Sequence, residues 1–400
     1  MFLLKEFPKI SETFIVNEII ALINMGHDIT IFSFKKSKNI VHDIVGKYQS
    51  SIRVFYLTDL MDDEGYSKLF KQCASKIRRL MENGILTGKE LARFWERING
   101  SGQGDMNKLR HLFSLCAILE VVKKHQIQHI HSHFADYHLE FAYLVYQIAR
   151  VPYTVTMHGY DIFFNPPGDL IKWTSKAKKI ITVSRYNRNY MAQKLHLNLN
   201  KIRVIPCGIN LSLFRKLVVA KEKEFIVLSV GRFHPVKGHA FLIEAVKLLA
   251  GEGMNFKCWI IGEGPEKQQL EKQIAKCGIE RYVRLLEAMR NEELPYYYSK
   301  ADVFVLASIS EGSPMVLKES LACETPVIAS KVNGIQEIVR HYGNGILVRS
   351  QSPSQIAVKI RELIINPSLI RNFKKNARAS IEKKFDIRKN VKRLERLFKE

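Results

Sequence analysis

Two series of short apolar segments, each alternating with helix-forming stretches, run along this 400-residue chain. The first series reads as strands at 29–34, 52–57, 127–131, 153–158, 180–184 and 202–206, and the second at 225–230, 256–261, 283–287, 301–307, 325–329 and 345–348. Apolar runs of this length separated by helices are what a parallel sheet buried on both faces requires. The polar stretch 210–224 lies between the series and reads as a linker. The expectation is α/β architecture with two Rossmann-like, doubly wound domains. Their spans are 1–209 and 225–375, followed by a basic helix at 376–400. Residues 59–110 break the alternation and read as a helical insertion. Phe2-Leu3-Leu4 reads as the end of a strand whose start lies upstream.

The densest chemistry lies at 301–329, which reads as strand, polar turn, helix (315–323) and strand. Glu311-Gly312-Ser313-Pro314-Met315-Val316-Leu317-Lys318-Glu319 places one carboxylate in the turn and a second inside the helix. Ligands of open α/β sheets bind at the carboxyl ends of strands. A carboxylate there can accept hydrogen bonds from sugar hydroxyls, and N–H groups opening the helix can face a phosphate. The bland alternative is that Glu311 is a helix-entry acid favoured by the dipole and Glu319 a solvated helix residue.

Gly231-Arg232-Phe233-His234-Pro235-Val236-Lys237-Gly238 follows the first strand of the second series. Gly231 permits a tight turn, and Arg232 and Lys237 flank the strand end as two cations suited to a diphosphate. The bland alternative is two surface cations in a loop. Gly262-Glu263-Gly264-Pro265 follows the next strand, and Glu287 the one after that. In the first series, His158-Gly159-Tyr160-Asp161 closes a strand. A histidine there serves as a base, a metal ligand or a hydrogen-bond donor, and Asp161 orients the loop or an acceptor. His131-Ser132-His133 invites a metal reading, but no third ligand is apparent nearby, so no metal site is expected. Ser11 is a candidate N-cap for the helix after Phe7-Pro8-Lys9-Ile10-Ser11-Glu12-Thr13-Phe14.

These motifs together resemble the retaining glycosyltransferases of family 4, which have the two-domain GT-B architecture. Glu311 to Glu319 resembles their E-x7-E signature, Gly231 to Gly238 their G-R-x-x-x-x-K-G segment, and Gly262 to Pro265 their G-x-G-P turn. The P-x-x-S-E-T-F opening, with Ile205-Pro206-Cys207-Gly208, resembles the branch of colanic-acid and other exopolysaccharide enzymes. The resemblance implies two domains facing a central cleft and a last helix that crosses back to the first domain. It implies that Arg232 and Lys237 hold the donor diphosphate, with Gly231, Gly262, Gly264, Gly312, Ser313, Pro314, Met315, Val316 and Leu317 around the donor. Glu287 lies beside the base, Glu319 binds the ribose and Glu311 the sugar. His158 lies close to the transferred sugar, and Ser11, Thr13, His133 and Asp161 fall on the acceptor side. No D-x-D motif appears, so no essential metal or other cofactor is expected, the two cations taking its place. The alternatives are another GT-B enzyme, an epimerase or phosphorylase, or a non-catalytic membrane- or nucleic-acid-binding relic.

The net charge of +23 admits nucleic acid, an anionic membrane or an anionic substrate as partner. No RNA- or DNA-binding module is recognisable, so nucleic acid is not expected. Residues 371–400 carry twelve Lys/Arg against four Asp/Glu, with Leu394, Leu397 and Phe398 as a partial apolar face. That pattern favours peripheral attachment to the inner face of the cell membrane and, with the branch resemblance, a saccharide acceptor linked to a lipid. The bland alternative is a solvated basic helix. No leader or membrane-spanning run is evident, and six cysteines without a C-x-x-C pair read as reduced thiols in the cytoplasm.

Overall fold

A computed structural model describes residues 1–9, 12–37, 46, 48–61, 65–100, 102 and 104–400. The chain divides into two compact units. Unit 1 comprises Met1–Thr182, Arg188–Val204 and Leu394–Glu400, and unit 2 comprises Val183–Asn187 and Ile205–Arg393.

Unit 1 holds a sheet of β1 (Phe2–Phe7), β2 (Ile29–Lys36), β3 (Ile52–Tyr56), β4 (Ile130–His133), β5 (Tyr153–Met157), β6 (Lys179–Thr182) and β7 (Ile202–Val204). Every pairing is parallel and the order is β3-β2-β1-β4-β5-β6-β7. The order reverses between β1 and β4, which is the switch point at which such sheets bind ligands. Phe2-Leu3-Leu4 opens β1 rather than ending it, since the strand continues to Phe7. The insertion forms helices Tyr66–Glu82 and Gly88–Asn99 and runs into Asp105–Lys124. Its Leu69, Cys73, Leu80, Phe94 and Ile98 are buried in the same core as β2 and β4. Thr87 and Glu90 cap the second of these helices reciprocally.

Unit 2 holds β8 (Phe225–Val230), β9 (Phe256–Ile261), β10 (Val283–Leu286), β11 (Val303–Leu306), β12 (Val327–Ser330) and β13 (Gly345–Val348). They pair in parallel in the order β10-β9-β8-β11-β12-β13, with the reversal between β8 and β11. Two apolar cores cover the two faces of this sheet.

The terminal helix Ile387–Lys399 contributes its last residues to unit 1. Leu394 and Leu397 are buried, and Phe398 stacks on His129 with ring centroids 4.7 Å apart. The apolar face expected to meet a membrane is therefore consumed by packing inside the protein. The residues that stay exposed on this helix are all cations: Arg388, Lys389, Lys392, Arg393, Arg396 and Lys399. The cysteines are free thiols. Among the described residues, no helix is long and apolar enough to cross a membrane.

Candidate active site

In unit 2 the switch point gathers the loops that leave the carboxyl ends of β8 and β11. The β8 loop carries Arg232 and Lys237; the β11 loop carries Ser308 and Glu311. The Ile309 N–H donates to the Val236 carbonyl at 2.8 Å and ties the loops together. Lys237 Nζ donates to Glu311 Oε1 at 2.6 Å, and Ser308 Oγ donates to the same oxygen at 2.8 Å. Glu311 is buried and Lys237 half-buried. Arg232, on the same β8 loop as Lys237, is exposed.

Past Glu311 the chain enters the helix Met315–Ala322 behind Pro314, and no side chain caps it. The N–H groups of Met315, Val316 and Leu317 thus belong to a first turn without intrahelical acceptors, a ready anion site. Its approach depends on Gly334: a Cβ there would stand 1.9 Å from the Gly312 carbonyl oxygen. Gly264 has φ +148°, and a Cβ there would meet the Phe233 carbonyl oxygen at 2.4 Å. The glycine requirement expected at Gly231 falls instead on such contacts. At Gly231 itself a Cβ would meet nothing nearer than 3.6 Å.

Glu319 is buried, and the Tyr298 hydroxyl donates to its Oε2 at 2.8 Å. Burial pushes its pKa up to about 7. It is not the solvated helix residue that the bland reading supplied. Lys318 is fully buried, donates to the Cys207 carbonyl at 3.0 Å and the Ser313 carbonyl at 3.3 Å, and is pushed down to about 8 by burial. It ties the helix entry to the chain that begins unit 2. Gly262 and Gly264 lie in the turn after β9, and Glu287 is exposed after β10, ion-paired to Lys267.

In unit 1, residues from three elements meet near the β1/β4 switch point. Glu18 comes from the helix Thr13–Ile23, His133 from the end of β4, and His158 from the residue after β5. His133 Nε2 stands 3.0 Å from Glu18 Oε1, and His133 Nδ1 stands 3.0 Å from His158 Nε2. Phe14 and Phe134 each pack on the His158 ring with centroids 4.6 Å apart. Asp161 is buried and accepts from the N–H groups of Ala135, His158 and Gly159 at 2.9, 3.1 and 3.0 Å. It therefore fixes the loop that carries His158, and burial, the largest influence on it, raises its pKa. Thr13 begins its helix with Glu12 in the cap position. Ser11 lies outside the described residues.

The third potential ligand that the sequence did not reveal is Glu18: one ligand atom from each of Glu18, His131 and His133 lie within 4.8 Å of one another. Each ring nitrogen of these histidines is nevertheless already engaged. His131 Nδ1 and Nε2 stand 2.7 and 3.1 Å from the hydroxyls of Thr154 and Thr156, and burial holds His131 well below its usual pKa, in the neutral form. Glu18 and the two histidines are thus joined by hydrogen bonds to one another, to His158 and to the two threonines.

The profile described as "Glycosyl transferases group 1" matches residues 213–380, and that described as "Glycosyltransferase Family 4" matches residues 89–213. An uncharacterized glycosyltransferase of Methanocaldococcus jannaschii is 31% identical over 70% of this chain and 77% of its own length. The chain belongs to glycosyltransferase family 4. The amylovoran biosynthesis glycosyltransferase AmsK of Erwinia amylovora is 26% identical over 96% of this chain and 95% of its own. Among solved structures, Anabaena HepE in complex with UDP superposes with a TM-score of 0.72 at 17% identity, covering 99% of this chain and 98% of HepE. The fold is thus GT-B, and the exopolysaccharide branch expected from the P-x-x-S-E-T-F opening is the one in which AmsK falls.

Within unit 2 this glycosyltransferase brings Lys237, Glu311 and the helix entry into one place. Glu287 stands apart on the next strand ends. Tyr298, Ser308, Lys318 and Glu18 were not singled out from the sequence. Tyr298, Lys318 and Glu18 take their meaning from partners distant in the chain, whereas Ser308 lies three residues from Glu311.

Proposed function

We propose that this glycosyltransferase moves a sugar from a nucleotide-diphosphate sugar to a saccharide acceptor carried on a lipid, with retention of anomeric configuration, in cell-surface polysaccharide assembly. The observation that carries the reading is the Lys237–Glu311 pair at the β8/β11 switch point, beside an uncapped helix N-terminus. When a diphosphate enters, Lys237 exchanges Glu311 for a phosphate oxygen, and Glu311 turns to the sugar hydroxyls. Arg232 and the N–H groups of Ser313 and Met315 to Leu317 share the remaining phosphate charge. The protein then stabilises charge that grows on the leaving group, which is where preorganised donors act most strongly. Glu319, held by Tyr298, accepts from the ribose. Gly231, Gly262, Gly264 and Glu287 border the nucleotide.

His158 addresses the sugar and the acceptor, with Asp161 and His133 holding it, and Ser11 and Thr13 shortly precede Phe14, whose ring packs on His158. No side chain is assigned as a covalent nucleophile. The acceptor attacks from the face the diphosphate leaves, and the diphosphate takes its proton. The two cations replace a divalent metal. AmsK is named for amylovoran biosynthesis and HepE was crystallised with UDP, which supports a nucleotide-linked donor and a polysaccharide product. The excess of positive charge supports an anionic membrane as the place of work, reached through exposed cations.

The test is transfer from radiolabelled nucleotide-sugars to a bacterial lipid extract. Nucleotide-dependent appearance of label in the lipid fraction, lost in Arg232→Ala, is expected. Sugar release that needs inorganic phosphate and no nucleotide would replace the reading with a phosphorylase.

A further inference from the structure

Lys318 lies in the helix Met315–Ala322 and is 0% exposed, yet the proposed sugar transfer gives it no task. Its ammonium joins three stretches of chain that are far apart in sequence. Nζ donates to the Ser313 carbonyl at 3.3 Å, in the turn before the helix. It donates to the Cys207 carbonyl at 3.0 Å, just after the chain passes from unit 1 into unit 2. It also stands 5.1 Å from the centre of the Phe385 ring. Cys207 and Phe385 belong to two segments of unit 2 that cross. The Ile209 N–H donates to the Phe385 carbonyl at 2.7 Å, and the Ile387 N–H to the Ile209 carbonyl at 3.1 Å. Asn390 Nδ2 donates to the carbonyls of Pro206 and Lys384 at 2.9 and 3.1 Å. The approach is tight: a Cβ on Gly208 would stand 2.4 Å from Ile387 Cα.

Taking an ammonium out of water is costly, and a well-packed apolar side chain of similar volume avoids that cost. Packing alone therefore does not call for a lysine here. What lysine adds is direction, because each N–H aimed at a carbonyl holds that carbonyl in place. Holding the Ser313 carbonyl fixes the Ser313–Pro314 peptide, the entry to the first turn whose N–H groups form the candidate phosphate site. Holding the Cys207 carbonyl fixes one side of the crossing, and the Phe385 ring lies on the other. We infer that Lys318 is a positioning residue that couples the Ser313 turn to the crossing of 206–209 with 385–387, so that a diphosphate bound at the turn tightens the crossing and a loosened crossing weakens the diphosphate. An anion at the helix entry attracts the same ammonium and orders the turn that Lys318 holds. Linkage makes the effect mutual. That a diphosphate occupies the turn rests on the proposed glycosyl transfer; the tie between turn and crossing does not.

Amide hydrogen exchange read by mass spectrometry follows the turn in peptides spanning 311–317 and the crossing in peptides spanning 205–210 and 383–390. Lys318→Met fills the volume without donating. In ligand-free protein it should speed exchange in all three peptides by at least about fivefold, the low end of a typical coupling, while peptides from β9 and β12 keep their wild-type rates. UDP, GDP and ADP are the probes, and the one that binds wild type most tightly is carried forward. That nucleotide should slow exchange at the crossing in wild type and not in Lys318→Met, where its Kd should rise roughly tenfold, as for one lost charge-assisted hydrogen bond. Asn390→Ala loosens the crossing and touches none of the donor residues. It should raise the same Kd by about threefold or more, and add nothing further in the Lys318→Met background. Should Lys318→Met not fold, the Kd of Asn390→Ala decides. Exchange at 205–210 and 383–390 unaffected by Lys318→Met, or an Asn390→Ala protein that binds the nucleotide as wild type does, would overturn the inference. The ligand-free effect of Lys318→Met, seen in a protein whose wild type binds none of the three nucleotides, would instead count against the proposed function and leave the tie standing.

Discussion

Lys237 and Glu311, seventy-four residues apart, are held as a 2.6 Å ion pair where the loops of β8 and β11 meet. Both residues are those to which donor contacts are assigned, and each occupies the other in the absence of a donor. Removing the cation leaves a buried carboxylate with Ser308 as its remaining side-chain partner. Lys237→Met is therefore expected to lower stability by about 1–3 kcal/mol, the cost of an under-satisfied buried polar group. Adding Glu311→Gln should recover part of that loss, and denaturant titration of the double-mutant cycle checks it. A Lys237→Met variant as stable as wild type would show that the pair contributes nothing.

Glu319 and its neighbour Lys318 give stability a dependence on pH. Unfolded Glu319 titrates near 4.5 and folded Glu319 near 7. Between these values the folded protein keeps a proton that the unfolded chain has lost, so stability falls as pH rises. For Lys318, folded near 8 and unfolded near 10.5, the unfolded chain holds the extra proton between the two values, so stability recovers as pH rises. Glu319→Gln should abolish the falling limb, an effect on the order of 3 kcal/mol. Tm measured at pH 5 and at pH 7.5 checks this: the wild-type drop should exceed that of the variant.

Gly334 admits the Gly312 carbonyl against its own backbone. Gly334→Ala must push the Gly312–Ser313 turn away from its place, and with it the N–H groups that open the next helix. Donor affinity should fall at least tenfold while most of the Tm is retained. Nucleotide titration of the variant, alongside its melting curve, separates the two effects.

The terminal helix separates packing from charge. Leu394→Ala removes a buried side chain and should cost about 2–5 kcal/mol. Replacing Lys392, Arg393, Arg396 and Lys399 by Gln should leave Tm nearly unchanged and weaken flotation with anionic vesicles at low salt, since each cation near such a surface contributes about 1 kcal/mol. Equal flotation of wild type and the charge variant would remove these four cations from any membrane contact.

The two sheets were legible because a parallel strand buried on both faces must be an apolar run, and β8, β9 and β13 fall where the pattern puts them. β4 was placed three residues early, at 127–131 instead of Ile130–His133. Its end is His131, Ser132 and His133, polar residues that look like a loop until Thr154, Thr156, Glu18 and His158 satisfy them. The motif glutamates and cations were legible as local patterns. Tyr298 beneath Glu319 and Glu18 against His133 arrive only through packing, which a single sequence does not display. The terminal helix misled in the opposite sense: its amphipathic spacing was visible, but not that the protein itself covers the apolar side.

The most direct measurement is calorimetric titration of a panel of nucleotide-sugars into wild type and Glu319→Ala. The account predicts saturable binding of one donor to wild type and its loss in a variant that is still folded. Binding that is unchanged in Glu319→Ala, or absent for every donor in folded wild-type protein, would contradict it.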